Sequence, residues 1–86
     1  MAINFPNRSR SYDPNHHRVR FWGHDDSREV SFLVEAEALR SMDTRASDEE
    51  GILQTFDANW ERIQAAARKA YSPRGNGFYV LAAPDI

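Results

Sequence analysis

The chain has no cysteine among its 86 residues. That absence excludes disulfide bridges, a thiolate nucleophile and every zinc site that is built on cysteine. It also means that packing alone, or association with another chain, must stabilise the fold. A length of 86 residues is enough for one domain and one core, so we predict a single domain over residues 1–86.

Long apolar runs are absent as well. No run approaches the roughly 20 residues that a bilayer-spanning helix needs. Residues 1–6 contain no cationic start followed by an apolar stretch, so they do not have the pattern of a signal peptide. We therefore expect a cytoplasmic protein with no membrane partner.

An excess of positive charge is also missing, because 11 Lys and Arg residues face 13 Asp and Glu residues, which gives a net charge of -2. The charge is unevenly placed, since residues 35–50 are mainly acidic and residues 8–20 are mainly basic. A nucleic-acid-binding domain usually has a clear basic excess. The overall balance therefore argues against general binding to polyanions.

Residues 17–34 contain two runs that alternate between apolar and polar side chains, with a polar turn between them. A period of two is typical of strands, so we predict a β-hairpin. The register that we expect pairs Phe21 with Val30. It also pairs Val19 with Phe32, and it thereby places the apolar side chains of both strands on one face.

The clearest helix start is Ser47-Asp48-Glu49-Glu50, which matches a capping box with Ser47 as the N-cap. We predict one long amphipathic helix over residues 48–71 and a short helix over residues 35–42. The apolar positions of the long helix recur at steps of three and four. They are Leu53, Phe56, Trp60, Ile63, Ala67 and Ala70.

Residues 78–83 form an apolar run without alternation, which favours a strand in the centre of a sheet. Residues 1–16 are rich in turn-forming residues, so we expect an irregular segment with room for one short edge strand. The element order is then β-β-α-α-β. This order predicts an α+β fold in which a small antiparallel sheet packs on the long helix.

Motifs for catalysis are missing. The sequence contains no glycine-rich phosphate loop and no nucleophile elbow, so we predict neither an enzyme nor a bound cofactor. The spacing of its histidines and nearby acids matches none of the usual metal patterns, so we predict no metal site. The residues concerned are His16, His17, His24, Asp25 and Asp26.

The segment from residue 8 to residue 22 interleaves arginine with aromatic side chains. Arginines can contact phosphates while aromatic rings stack on bases, so a nucleic-acid surface is one interpretation. The other is that arginines on the outer face of a strand only keep that strand soluble. The residues of the proposed nucleic-acid contact are Arg8, Arg10, Arg18 and Arg20.

The second face of the predicted sheet has no second long helix to cover it. From the strand over residues 78–83 we expect this face to carry every second residue, either Phe78, Val80 and Ala82 or Tyr79, Leu81 and Ala83. Two covers are possible: the N-terminal segment, folding back through Ile3 and Phe5, or a second copy of the chain. Large apolar groups that stay together in water tend to mark contact sites. The predicted partner surface consists of Trp22, Leu33, Arg18 and Arg20.

Several short stretches follow one another in an order and at a spacing that match a known pattern. They are Ile3-Asn4-Phe5-Pro6, Val19 with Phe21, Ala38-Leu39, Phe56, Ile63, Ala67, Lys69, Tyr71, Phe78-Tyr79-Val80-Leu81 and Asp85. Together they resemble a family of short bacterial proteins known as domain of unknown function 1488 (DUF1488). Glu35 departs from the family pattern, since a small capping hydroxyl is expected before the first helix. The resemblance implies an α+β fold with a small antiparallel sheet, and it supplies no activity and no catalytic residues, although some members carry a transcription-regulator label.

The sequence as a whole predicts a non-catalytic binding or regulatory module that acts through protein contacts, with a homodimer as one form. The alternative is a nucleic-acid-associated transcriptional regulator that uses the arginine segment. The two differ in one structural requirement. The alternative needs the four early arginines to lie on one continuous surface.

Overall fold

A five-stranded sheet lies at the centre of the computed structural model, which describes residues 3–6, 10–26, 28–44, 46–72, 75 and 77–86. β3 and β4 form the predicted hairpin, β1 and β2 both pair with β3 at one edge, and β5 pairs with β4 at the other. The strands are β1 (Ile3–Asn4), β2 (Arg10–Asp13), β3 (Arg18–Asp25), β4 (Arg28–Glu35) and β5 (Phe78–Leu81).

The helices lie between β4 and β5 in the chain. They are α1 (Ala36–Met42), α2 (Glu49–Ala58) and α3 (Trp60–Ala70), and a 3-10 turn at Ala83–Asp85 follows β5. This arrangement confirms the α+β class. The predicted antiparallel sheet is wrong in one respect, because β5 runs parallel to β4. The helical crossover brings the chain back to the end of the sheet at which β4 began, and a parallel pair requires such a connection.

The position of β5 is a second correction. An apolar run without alternation predicts a central strand, yet β5 is an edge strand. Its side chains alternate between a buried side and an exposed side, with Leu81 buried and Phe78 and Val80 exposed. The run is therefore apolar on both sides although helices cover only one of them.

The register of the hairpin differs from the predicted one by two residues. Phe21 lies opposite Phe32 rather than Val30, and Val19 lies opposite Val34. The strands extend to Asp25 and Arg28, so they include part of the stretch that was expected to form the polar turn. A shift of two residues leaves every side chain on its predicted face, because side chains alternate with a period of two.

The N-terminal segment is more regular than predicted, because it contains two edge strands that pair antiparallel with β3. Between them, the Phe5 ring lies 5.8 Å from that of Phe21 and 5.9 Å from that of Trp60. Gly23 permits this approach, since an added Cβ would lie 2.8 Å from Phe5 Cε1. Ile3 and Phe5 therefore pack on the helix-covered face, so of the two possible covers of the second face, the one through these two residues is excluded.

The long helix predicted over residues 48–71 is divided at Asn59 into α2 and α3. Asn59 has φ -112° and ψ 23°, and its side-chain amide donates to the Thr55 carbonyl at 2.9 Å. An Asn side chain that bonds to nearby backbone competes with regular helix geometry. The apolar stripe continues across the division, with Phe56, Trp60 and Ile63 all buried.

The N-cap of α2 is Asp48, one residue after the predicted Ser47. The Asp48 carboxylate accepts a hydrogen bond of 2.8 Å from the Gly51 amide, and the helix begins at Glu49. The predicted capping box of Ser47 and Glu50 is therefore wrong. Asp and Ser cap helices about equally well, so adjacent Ser and Asp leave the start ambiguous by one residue.

Replacing Asp48 with alanine is expected to lower the free energy of unfolding by about 1 kcal/mol, because the Gly51 amide loses its acceptor. Ser47→Ala is the matched control, and it should change the stability by less than about 0.5 kcal/mol. Urea denaturation of both variants measures the difference. Equal losses in the two variants would show that Asp48 is not the cap.

Candidate protein-contact surface

In the described part of the chain, helices cover one face of the sheet and leave the other face without a helix. Every buried hydrophobic residue of the three helices belongs to a single core cluster, which also holds Phe21, Phe32 and Leu81 of the sheet. Leu33 is only 3% exposed, yet it stands outside this cluster because it points to the other side of β4. We call that other side the open face.

The open face is built in rows by the strand register. One row places Arg20 of β3 beside Leu33 of β4 and Val80 of β5. The next row places Trp22 beside Ser31 and Phe78. Within the open face we define the contact patch as Arg20, Trp22, Leu33, Phe78 and Val80.

Two large side chains of the contact patch are well exposed. Phe78 keeps 50% of its surface in contact with solvent and Val80 keeps 43%. Trp22 is half-buried, and Leu33 forms the floor of the patch. Grouped exposed apolar side chains of this kind are uncommon on a monomer and tend to mark binding sites.

Arg20 contacts two neighbours on the open face. Its guanidinium carbon is 5.2 Å from the centre of the Trp22 ring, and one Nη donates to the Ser31 hydroxyl at 3.2 Å. Within the described ranges it makes no ion pair. A guanidinium held over an aromatic ring gains a cation–π attraction and still presents its remaining donors outward.

A shallow groove of about 370 Å³ borders the contact patch. Arg20, Leu33 and Phe78 line it from the patch, and the turn between β2 and β3 closes its far side. Arg18 and Asp13 lie at that turn, with Arg18 Nε 3.6 Å from Asp13 Oδ2. The Arg18 Nε is buried and has no hydrogen-bond partner among the residues described.

Asp13 stabilises the turn between β2 and β3, which borders the groove. Its carboxylate accepts from the Asn15 amide at 3.0 Å and contacts His16 Nδ1 at 2.9 Å. Loss of hydration raises the pKa of Asp13, but the hydrogen bonds from His16 and Asn15 outweigh that effect and leave this pKa below its usual value. Asp13 is therefore held as a carboxylate beside Arg18.

Arg10 lies on the helix-covered face, away from Arg18 and Arg20. It makes a bidentate pair with Asp57 of α2, with Nε to Oδ1 at 3.0 Å and Nη to Oδ2 at 2.8 Å. The hydrogen bonds to Asp57 raise the pKa of Arg10 above its usual value. Arg8 lies outside the described residues. The described arginines of the predicted nucleic-acid contact are therefore divided between the two faces of the sheet, with Arg18 and Arg20 on the open face and Arg10 on the other.

The histidines are separated as well. His16 contacts Asp13 in the turn, and His24 lies on the open face opposite Glu29. His17 has φ 51° and its carbonyl accepts from the Ala36 amide at 2.8 Å, which satisfies a donor at the start of α1. In the part of the chain that the structure describes, no three potential ligands come together as a metal site.

The predicted partner surface is partly assembled. Arg20, Trp22 and Leu33 come together in the contact patch, whereas Arg18 lies one row away, beside Glu35 and Asp13. The sequence left open which alternate residues of β5 share this face, and the structure places Phe78 and Val80 there. No sequence pattern could choose between them, because both sides of β5 are apolar.

This geometry defines a small α+β domain with a mixed sheet, one helix-covered face and one open face. The chain belongs to the family described as "Protein of unknown function (DUF1488)", whose model matches residues 3–81. The resemblance that the sequence suggested is thus confirmed. No curated protein and no solved structure matches the chain. Among the helices described, none is long and apolar enough to cross a membrane.

Proposed function

We propose that this protein is a non-catalytic binding module that regulates a protein partner through the contact patch of its open face. The observation that carries the proposal is a group of large side chains, with Trp22 and Phe78 in one row and Leu33 in the next, on a sheet face that no described helix covers. Interface centres are enriched in aromatic residues and arginine. Both kinds of side chain occur together in this patch.

The chemistry of the patch indicates what the partner should present. Leu33, Phe78 and Val80 favour an apolar surface, and Arg20 favours a carboxylate beside it. Nucleic acid fits this site less well. Arg18 lies beside Asp13 and Glu35, and Arg10 is paired with Asp57 on the opposite face. We therefore expect a protein partner with an acidic residue next to an apolar one.

The test is affinity capture from an extract of the source organism, with and without nuclease, followed by affinity measurements on the purified partner. Trp22→Ala should weaken binding by about 30-fold, as expected for an aromatic side chain at the centre of an interface. Arg20→Gln should weaken it about tenfold, through loss of the charged hydrogen bond.

Glu61→Ala is the matched control, because Glu61 is exposed on α3 and lies far from the open face. It should bind as the parent does. Partner recovery that survives nuclease and depends on Trp22 supports the proposal. Recovery that is lost on nuclease treatment, or that is unchanged in Trp22→Ala, would contradict it.

A further inference from the structure

The outer edge of β5 carries main-chain groups that point away from the sheet. The Ser31 amide donates to the Gly77 carbonyl at 2.9 Å. This bond determines which residues of β5 direct their main-chain groups toward β4. Successive residues of a strand direct their N–H and C=O groups to opposite sides. Tyr79 therefore bonds to β4, whereas the amides and carbonyls of Phe78 and Val80 point outward. These outward groups have no partner within the described chain.

This edge is short, but it lacks the charges and prolines that often prevent strands from pairing. β5 has four apolar residues and contains neither a charge nor a proline. The opposite edge differs, because β2 carries Arg10 and Asp13 and is followed by Pro14. Proteins commonly protect exposed strand edges with charges and prolines. Only one of the two sheet edges is protected in this way within the ranges described.

Contacts within the chain hold β5 in place without a partner. The Tyr79 hydroxyl accepts from the Ser72 amide at 3.1 Å and donates to the Ser72 carbonyl at 2.8 Å. The Tyr79 ring stacks on Phe32 with a centroid distance of 5.4 Å. A preorganised strand loses little conformational freedom when it pairs.

We propose that a second copy of this chain pairs with the outer edge of β5, antiparallel and about a two-fold axis at Tyr79. In this register Phe78 lies opposite Val80 of the second copy, and Val80 lies opposite Phe78 of the second copy. The outward amides and carbonyls of the two residues then form four main-chain hydrogen bonds. The uncharged edge allows identical copies to approach without like-charge repulsion.

The end of β5 selects this register. A two-fold axis at Val80 would also use the Ala82 amide, but that amide already donates to the Asp85 carboxylate at 2.9 Å. Pro84 has no amide to offer beyond it. Among registers that pair only residues of β5 with each other, the one centred on Tyr79 uses all four outward groups of Phe78 and Val80 and leaves the Asp85 bond intact.

The size of the contact sets its strength. A pair of four-residue strands buries less than the roughly 800 Å² per partner that stable complexes share, so the dimer should be weak and dependent on concentration. It would join two sheets edge to edge and place two contact patches side by side. This inference goes beyond the proposed function, because it uses the edge of β5 and not the binding of Arg20 and Trp22 to another protein.

Sedimentation equilibrium of the full chain tests the proposal, at concentrations from about 1 µM to about 1 mM, where weak interfaces associate. The parent should move from the mass of one chain to the mass of two. Val80→Pro should remain monomeric, with a dissociation constant at least about tenfold higher, because proline removes an outward amide and no bond to β4.

Val80→Thr is the matched control, since it keeps the amide and the branched shape and should dimerise as the parent does. Circular dichroism shows whether each variant is folded. If Val80→Pro does not fold, Val80→Lys replaces it, because it keeps the amide and places two like charges close together in the dimer. A parent that stays monomeric at every concentration, or a folded edge variant that dimerises like the parent, would overturn the proposal.

Trp22→Ala separates this inference from the proposed function. It should leave the dimer unchanged, because Trp22 lies two strands away from the β5 edge. If Trp22→Ala abolishes the dimer, the two copies meet through their open faces and the edge pairing is wrong. If the parent is monomeric but the capture of another protein still depends on Trp22, the edge pairing fails and the proposed function stands.

Discussion

Replacing Phe21 with alanine is expected to lower the free energy of unfolding by about 3–5 kcal/mol, a large part of the roughly 5–10 kcal/mol available to a domain of this size. Phe21 is fully buried, and its ring lies 5.3 Å from those of Phe32 and Phe56 and 5.5 Å from that of Trp60. Alanine would leave a cavity at the point where β3, β4 and α2 meet. Urea denaturation followed by circular dichroism measures the loss.

Trp22→Ala is the control for this experiment, because the two residues are adjacent in β3 and point to opposite faces. Trp22 is half-buried on the open face, so its replacement should cost only about 1 kcal/mol. A loss at Trp22 as large as the loss at Phe21 would show that the open face is part of the core.

Trp60→Ala is expected to cost about 3–5 kcal/mol as well. Trp60 begins α3, and its ring lies 5.4 Å from that of Phe56 and 5.9 Å from that of Phe5. Its removal should loosen both the junction of α2 with α3 and the N-terminal segment. Hydrogen exchange should therefore become faster at the amides of β1 as well as in α3.

Glu61→Ala is the neighbouring control, because Glu61 is exposed on the outer side of the same helix turn. It should leave both the stability and the exchange in β1 close to those of the parent. If Trp60→Ala leaves the denaturation midpoint unchanged, the buried face assigned to α3 is wrong.

The hairpin shows what local patterns predict well. Alternation placed Val19 and Phe21 on the core side and Trp22 on the other side, and the structure has them there. The register was wrong by two residues, because a polar turn is compatible with more than one loop length. That error does not move a side chain to the other face, so each side chain of the hairpin is still assigned to the correct face.

The errors arose where a pattern depends on tertiary packing. The apolar run of β5 predicted a central strand, although its outer side contacts solvent through Phe78 and Val80. The division at Asn59 was missed because the apolar stripe continues across it. An Asn in the middle of a helical pattern was the available signal, since its side chain can bond to the backbone of the preceding turn.

The contact patch was only partly predictable. Trp22, Arg20 and Leu33 could be placed on one face from the hairpin alone. Phe78 and Val80 could not be, because they join that face through the pairing of β5 with β4. The position of Arg10 could not be predicted for a similar reason, since its side chain lies on the helix side of β2 and pairs with Asp57 of α2.

The central claim is that the open face binds a protein while the other face holds the fold together. Site-specific photocrosslinking in cells of the source organism tests it most directly, with benzoylphenylalanine placed either at position 22 or at position 61 on the outer side of α3. We predict that position 22 yields a discrete protein adduct that Arg20→Gln weakens, and that position 61 does not yield it. No adduct at position 22, or the same adduct from both positions, would contradict the claim.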